Sequence, residues 1–437
     1  MNPSPVTAGG PAVVTTRVAM LGGRSVGKTS VLTSLKVAAD DFFAHTSVEV
    51  RPDDDTDQEF TQSLSAMMGE LASRRSRFTS EDVKGIVGNS DVRTYRLGVF
   101  PTLRGKLPFD NESRIEIIAK DYPGGWISDP GQSGSAESAR KVADILEESN
   151  TLVLAVDAVA IMEFGDDRDL DSRLGITATA NHVRAWAKRR KHHGDRHRLI
   201  IAPVKCEAYF NDNGGRNDSA DRLARTVTQR YAEVLKAYRS EVGNDARILY
   251  APVDTIGAID FVRPVTIDDG TGGTKRVAEY AVRYNADGTR RGRSVVGAEP
   301  ILAVLVADAL SEAQTLHEAQ KKVAEVALAT AKAAERRAQT DLNRAKRELE
   351  ETEAWIAARK RTLAHKLFGF ITNQDAKLEK IRRTTLDSHD IAELRRAAKA
   401  EESAAARSAV LAKNDQLQRL AKAASAVELR YGRVRQW

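Results

Sequence analysis

MLGGRSVGKTSVL, residues 20–32, is an apolar segment that runs into two glycines, then a lysine and a threonine, then a helix-like apolar pattern. Gly22, Gly27, Lys28 and Thr29 fit the spacing Gly-x-x-x-x-Gly-Lys-Ser/Thr. The flanks are right for that motif: AVVTTRVAML reads as a strand before it, and Val31, Leu35, Ala38 and Phe42 recur at helical spacing after it. Phosphate needs this arrangement. Glycines let the backbone curl until successive N–H groups point inward, Lys28 supplies a cation for the outer phosphates, and the Thr29 hydroxyl can ligate Mg²⁺ at a helix N-terminus. The expected phosphate-binding loop runs through Gly22, Gly23, Arg24, Ser25, Val26 and Gly27 to Lys28, Thr29 and Ser30.

Residues 12–316 alternate β-branched runs with helix-period stretches, which predicts an α/β fold with a doubly wound sheet. YRLGV and RIEIIAKD read as an adjacent hairpin pair, and TLVLAVDA, RLIIAPVK and RILYAPVD as three further buried strands. Helical patterns separate them over about 136–149, 173–191 and 219–241. Two stretches, 46–91 and 263–297, are too long for simple connections and read as surface insertions, the second with a turn signal at Asn285–Gly288. Residues 1–11, rich in Pro, Gly and Thr, are expected to be disordered.

The texture changes after Glu299. No proline follows Pro300, and Ala, Glu, Lys, Arg and Leu dominate to the end, a long-helix composition. Leu342, Leu349, Ile356 and Leu363 repeat every seven residues; beyond a break at HKLFGFITNQDAK, residues Leu417, Leu420, Ala424, Val427 and Tyr431 alternate steps of three and four. The simplest reading of 317–437 is an antiparallel coiled-coil hairpin, and the competing one is a single long helix that dimerises.

The 437-residue chain is 41% hydrophobic and 29% charged, enough to bury a sizeable core. No apolar run approaches the roughly 18 residues a membrane span needs, and the opening lacks a signal-peptide pattern, so a cytoplasmic protein is expected. Cys206, the one cysteine, can form neither an internal disulfide nor a cysteine-based zinc site. The net charge of +6 is interleaved with acidic residues, which argues against a nucleic-acid partner.

With the loop motif in place, the chain resembles the translation-factor-related (TRAFAC) class of P-loop GTPases over about residues 12–316. DYPG, Asp121–Gly124, matches the Asp-x-x-Gly signature of that class, which implies that Asp121 holds Mg²⁺ and that the Gly124 N–H meets the γ-phosphate. Val204, Lys205, Cys206 and Glu207 stand where the class carries its guanine-reading Asn/Thr-Lys-x-Asp, with Val for Asn and Glu for Asp. The match implies a base-stacking Lys205 and a Glu207 carboxylate that accepts from guanine N1 and N2, with guanine preferred to adenine. A loop after the sixth strand would fall on Pro252–Thr255. Asp157, ending an apolar strand, is the rival to Asp121 as metal-binding aspartate, and both Thr79 and Thr94 compete for the threonine that closes on Mg²⁺, with Thr94 nearer a strand start.

Gly125 stands where small GTPases keep a water-orienting glutamine. The loop GGRSVGKTSVL is similar to that of dynamin-like GTPases and offers Arg24 as a residue that could stabilise developing γ-phosphate charge. With its long insertions, its helical appendage and EPILAVLV, similar to the last helix of such domains, the chain resembles bacterial double-GTPase and conflict-system GTPases. The resemblance implies a GTP/GDP- and Mg²⁺-dependent switch, slow by itself, whose hairpin binds a protein partner or a second copy. Two alternatives stand beside it: a dynamin-like membrane protein with KLFGFI as a wedge, and a nucleotide-binding scaffold that hydrolyses little.

Overall fold

The structure, a computed structural model, describes residues 12–23, 25–43, 46, 48–73, 77–79, 91–101, 113–128, 136–165, 170–193, 197–209, 219–268, 274–364 and 371–431. The chain forms two compact units, Met1–Ala313 with Lys422–Trp437, and Gln314–Ala421. The closing segment from Lys422 thus belongs with the first unit.

The first unit begins with β1 (Ala12–Leu21), α1 (Lys28–Phe43), β2 (Val48–Pro52), α2 (Asp54–Ser73), β3 (Arg77–Thr79), β4 (Arg93–Pro101) and β5 (Ser113–Asp121). It continues through α3 (Gly125–Ser128), α4 (Ala136–Glu148), β6 (Thr151–Asp157), α5 (Ala158–Glu163), α6 (Leu170–Arg173), α7 (Ile176–His193) and β7 (Arg198–Val204). Then come α8 (Ser219–Arg230), α9 (Ala232–Val242), β8 (Ile248–Tyr250), β9 (Ile259–Asp268) and β10 (Thr274–Val282). Two long helices, α10 (Glu299–Ala364) and α11 (Ile371–Tyr431), complete the chain.

Seven strands form one mixed sheet in the order β2-β4-β5-β1-β6-β7-β8. From β5 to β8 all neighbours are parallel. β4 runs antiparallel to β5, and β2 antiparallel to β4. The order reverses at β1: the chain builds the β2-β4-β5 side first, then crosses to β6 on the other side. A crevice at the carboxyl ends of the strands is the place such a sheet offers a ligand. β6 and β7 read as unbroken apolar runs because both their faces are covered; Leu152 through Val156 and Leu199 through Ala202 are all buried. Over this core Trp186 of α7 is buried, stacks on Tyr238 of α9 at 5.8 Å and donates its indole N–H to the Ser149 carbonyl at 2.8 Å.

The two segments read as insertions are more than surface loops. β2 is the edge of the main sheet, where Val48 and Val50 are buried against β4. β3, from the same segment, pairs with β10, which pairs with β9, giving a second, three-stranded antiparallel sheet. Phe78 and Tyr280 stack across it at 5.8 Å. The turn expected at Asn285–Gly288 is present, with the Gly288 N–H donating to the Asn285 carbonyl at 3.0 Å. Residues 1–11 and 102–112 lie outside the described residues.

In the second unit α10 and α11 run antiparallel. Arg396 donates to Gln339 at 3.1 Å and Arg382 pairs with Glu353 at 3.6 Å, so fourteen residues back along α11 (396 to 382) is fourteen forward along α10 (339 to 353). Within the chain the two long helices therefore lie side by side as antiparallel arms. Leu342 and Leu349 are half-buried and Ile356 buried on α10, facing inward with Leu378, Ser403 and Leu420 of α11 also buried. The seam is not wholly apolar: His317 is 1% exposed, and burial, then the nearby Lys413 charge, hold its pKa below the ordinary value. Residues 365–370, with most of KLFGFI, lie outside the described residues. Among the described residues no helix is long and apolar enough to cross a membrane.

Candidate functional site

The loop between β1 and α1 takes the shape its glycines permit. Gly22 has φ +139° and Gly27 φ +105°, both in the region that side chains avoid. A Cβ on Gly22 would lie 2.7 Å from the Ala155 carbonyl oxygen of β6 and 2.9 Å from Val26 Cγ2, so this position admits no side chain. Ser25, a non-glycine residue, sits at φ 59°. Strain of this kind costs about 1–3 kcal/mol and persists where surrounding structure enforces it, often at ligand sites. Gly23, Val26 and Lys28 are buried, Ser25 is exposed, and Ser30 is half-buried. Arg24 lies outside the described residues.

Lys28 opens α1 and folds its ammonium back over the loop, donating to the carbonyls of Gly22 at 3.2 Å and Gly23 at 3.3 Å. Burial lowers its pKa below the ordinary value, while the Asp121 charge works to raise it. The Thr29 hydroxyl donates to Asp121 Oδ2 at 2.7 Å, across 92 positions of sequence. Asp121 is 1% exposed at the end of β5; burial raises its carboxyl pKa, and Lys28 and then the Thr29 hydrogen bond oppose that. A hydroxyl and a carboxylate in contact beneath a helix N-terminus are an oxygen donor set that suits Mg²⁺, which takes one or two protein oxygens and completes its shell from phosphates and water. Gly124 is buried just beyond, and α3 starts at Gly125 with the Trp126 N–H donating to the Pro123 carbonyl at 3.0 Å.

Asp157, the rival aspartate, is engaged elsewhere. Its side chain caps α5 by accepting from the Ala160 N–H at 2.9 Å, and it forms an ion pair with the Lys205 ammonium. Lys205 itself has φ 61°; it and Ser25 are the two non-glycine residues with positive φ among the described residues, one in each expected nucleotide loop. Neither threonine expected to close on the metal is brought there. Thr94 is exposed and pairs with Lys120, on the sheet face where Lys120 meets Glu148, opposite the face of Asp121. Thr79 pairs with Glu279 in the second sheet. The two-residue side-chain period of a strand puts position 94 out of phase with the metal edge, which the local sequence does not reveal.

Glu207 follows Lys205 and the buried Cys206 just beyond β7. It is 1% exposed, and its carboxyl faces that of Asp254. Burial first, then the charge of Asp254, push its pKa up to about 8. Asp254 is fully buried in the loop after β8, and its Oδ1 accepts the backbone N–H groups of Ile256 at 3.1 Å and Gly257 at 2.7 Å. The 252–255 loop, expected after the sixth strand, supplies the second carboxyl of this pair. Residues 293–296 brace that loop: Arg293 Nε donates to the Thr255 carbonyl at 2.9 Å, its Nη2 to the Ser34 hydroxyl of α1 at 3.3 Å, and Asp254 and Val296 exchange backbone hydrogen bonds at 2.9 and 3.1 Å. The second insertion is thus built into the support of the expected base-reading loop.

All these groups stand at the carboxyl ends of β1, β5, β6, β7 and β8, at one rim of the sheet. No known protein-family model matches the chain, and no curated protein is significantly similar to it.

Proposed function

We propose that the chain is a cytoplasmic, Mg²⁺-dependent GTPase of the P-loop class, a switch that couples its GTP or GDP state to a protein partner or to a second copy through the helical hairpin. The observation that carries this reading is the 2.7 Å contact of Thr29 with Asp121 under a glycine loop capped by Lys28. Backbone N–H groups of the loop and the Lys28 ammonium would bind the phosphates, while Thr29 and Asp121 would hold Mg²⁺, which when bound neutralises phosphate charge. Glu207 would accept from guanine N1 and N2 once it gives up its proton. The Lys205 stem would lie along the base, with Asp157 fixing the ammonium.

The hairpin supports the coupling half of the reading by what it leaves open: Val323 is 71% exposed, Val326 67%, Leu394 71% and Leu411 62%. The test is to purify the full chain, identify the nucleotide that accompanies it, and measure GTP and ATP turnover with Mg²⁺ over a range of protein concentrations. Slow GTP hydrolysis that accelerates with protein concentration or with a bound partner is the expected result. Failure to bind either nucleotide would refute the reading, and tight binding with no turnover would make the chain a nucleotide-dependent scaffold.

A further inference from the structure

Gly125 leaves the expected hydrolytic site without a side chain to orient water, and beyond Lys28 and the metal a further cation would stabilise charge on the phosphoryl group in transfer. β4 presents one. Arg93 is the register partner of Asp121 across the β4–β5 pair, and cross-strand partners share a sheet face. Its side chain is 40% exposed, and Arg93 Nη1 lies 2.7 Å from Glu59 Oε1 of α2. Glu59 also accepts from the Tyr95 hydroxyl at 3.3 Å, and Tyr95 is held by stacking on Phe60 at 5.0 Å. Arg93 and Glu59 both line an open cleft of about 440 Å³, together with Asp55, Gln58, Gln62 and Ser63 of α2. The Asp121 carboxyl feels both members of the pair, Arg93 lowering and Glu59 raising its pKa.

We propose that Arg93 is a catalytic residue held in reserve: Glu59 keeps its guanidinium at the cleft wall, and a bound nucleoside triphosphate draws it onto the γ-phosphate. The proposal rests on the nucleotide reading above. In the step itself a water oxygen bonds to the γ-phosphorus while the bond from that phosphorus to the β–γ bridging oxygen breaks. The bond's electron pair stays on the bridging oxygen of GDP, and the attacking water's surplus proton passes to the released phosphate or to solvent. Arg93 exchanges no proton; it donates hydrogen bonds to oxygens that gain charge. The two long side chains are only partly buried, so the Arg93–Glu59 pair contributes little to stability and is cheap to break. A resting ion pair of this kind suits a group that must move.

Arg93→Ala, Arg93→Lys and Glu59→Gln in the full chain test it. Expected for Arg93→Ala are unchanged GDP affinity, single-turnover GTP hydrolysis slowed by about 10³-fold, the lower end for an arginine acting on phosphoryl transfer, and loss of the GDP–aluminium fluoride complex. Arg93→Lys should recover only part of the rate, because a point charge replaces a planar fork. Glu59→Gln should keep or raise the rate several-fold. Wild-type turnover and an intact aluminium fluoride complex in both Arg93 variants would overturn the proposal and leave the nucleotide reading standing. If the wild-type chain binds no GDP, both fall together.

Discussion

Replacing Lys28 with methionine separates what that residue does for a ligand from what it does for the empty loop. Two of the three ammonium hydrogens are used on the Gly22 and Gly23 carbonyls, at 3.2 and 3.3 Å, which leaves one to meet a phosphate oxygen directly. A charge-assisted hydrogen bond is worth about 1.5–3 kcal/mol, and the Coulomb attraction to a second phosphate charge adds a similar amount, so nucleotide binding should weaken by about 3–5 kcal/mol. At 1.4 kcal/mol per decade that is on the order of 10²–10⁴-fold. The empty protein should respond too. Lys28 is the largest influence holding down the raised Asp121 pKa, so without it that carboxyl titrates still higher in the folded state. A carboxyl whose folded pKa exceeds its unfolded value of 3.8 contributes stability present in acid and lost as pH rises through the folded pKa. Lys28→Met should therefore melt close to wild type in acid and progressively below it as pH rises toward neutral. Calorimetry with GTP and melting curves across pH measure both effects. A variant that binds GTP as tightly as wild type would refute the assignment of the loop.

Glu207 gives a second test: with its pKa up to about 8 in the empty site, guanine must displace a proton to be read by the carboxylate, so GTP affinity should rise by up to about tenfold per pH unit toward pH 8 and then level off. Glu207→Gln should remove that slope and the preference for GTP over ATP, as titration calorimetry at several pH values would show. Gly22→Ala should abolish nucleotide binding through its 2.7 Å clash with the Ala155 carbonyl, checked with a fluorescent GDP analogue; wild-type affinity would mean the loop is not held as described. Asp308 of α10 accepts two hydrogen bonds from Arg198 at 2.8 and 2.9 Å in a mostly buried pair, so Asp308→Ala should destabilise the first unit by about 3 kcal/mol in chemical denaturation, with nucleotide affinity unchanged.

Much of the sheet was legible because its strands are buried on both faces, and residues such as Leu199, Ile200 and Ile201 announce themselves as unbroken apolar runs. The loop at 22–29 was legible because φ values such as +139° at Gly22 demand glycine at fixed positions. The hairpin was legible in the seven-residue recurrence of Leu342, Leu349 and Ile356. What escaped the sequence depends on register and on distant partners. β2 is five residues in a segment of mixed composition, and only its pairing with β4 identifies it as a sheet edge. β3, three residues long, has no period to read. Thr94 looked suitable by proximity to a strand start, but its phase within β4 sets it on the wrong face, where Arg93 stands opposite Asp121 instead. The Glu207–Asp254 pair joins two loops 47 positions apart (207 to 254), and no local pattern marks it.

The return of α11 to the first unit constrains how the chain can be made. Ala423 and Val427 are 1% and 2% exposed, and residues from Lys422 onward are grouped with a body otherwise finished at Ala313. From Ala313 to Ala423 the ribosome adds 110 residues (423 minus 313), about 5–20 s of synthesis. For that interval the first unit waits with the surface that covers Ala423 and Val427 open. Deleting everything after residue 316 would strip Ala423 and Val427 from the body they are buried in. Trimming both arms of the hairpin by matched lengths, with the closing segment kept, is the shortening this architecture tolerates.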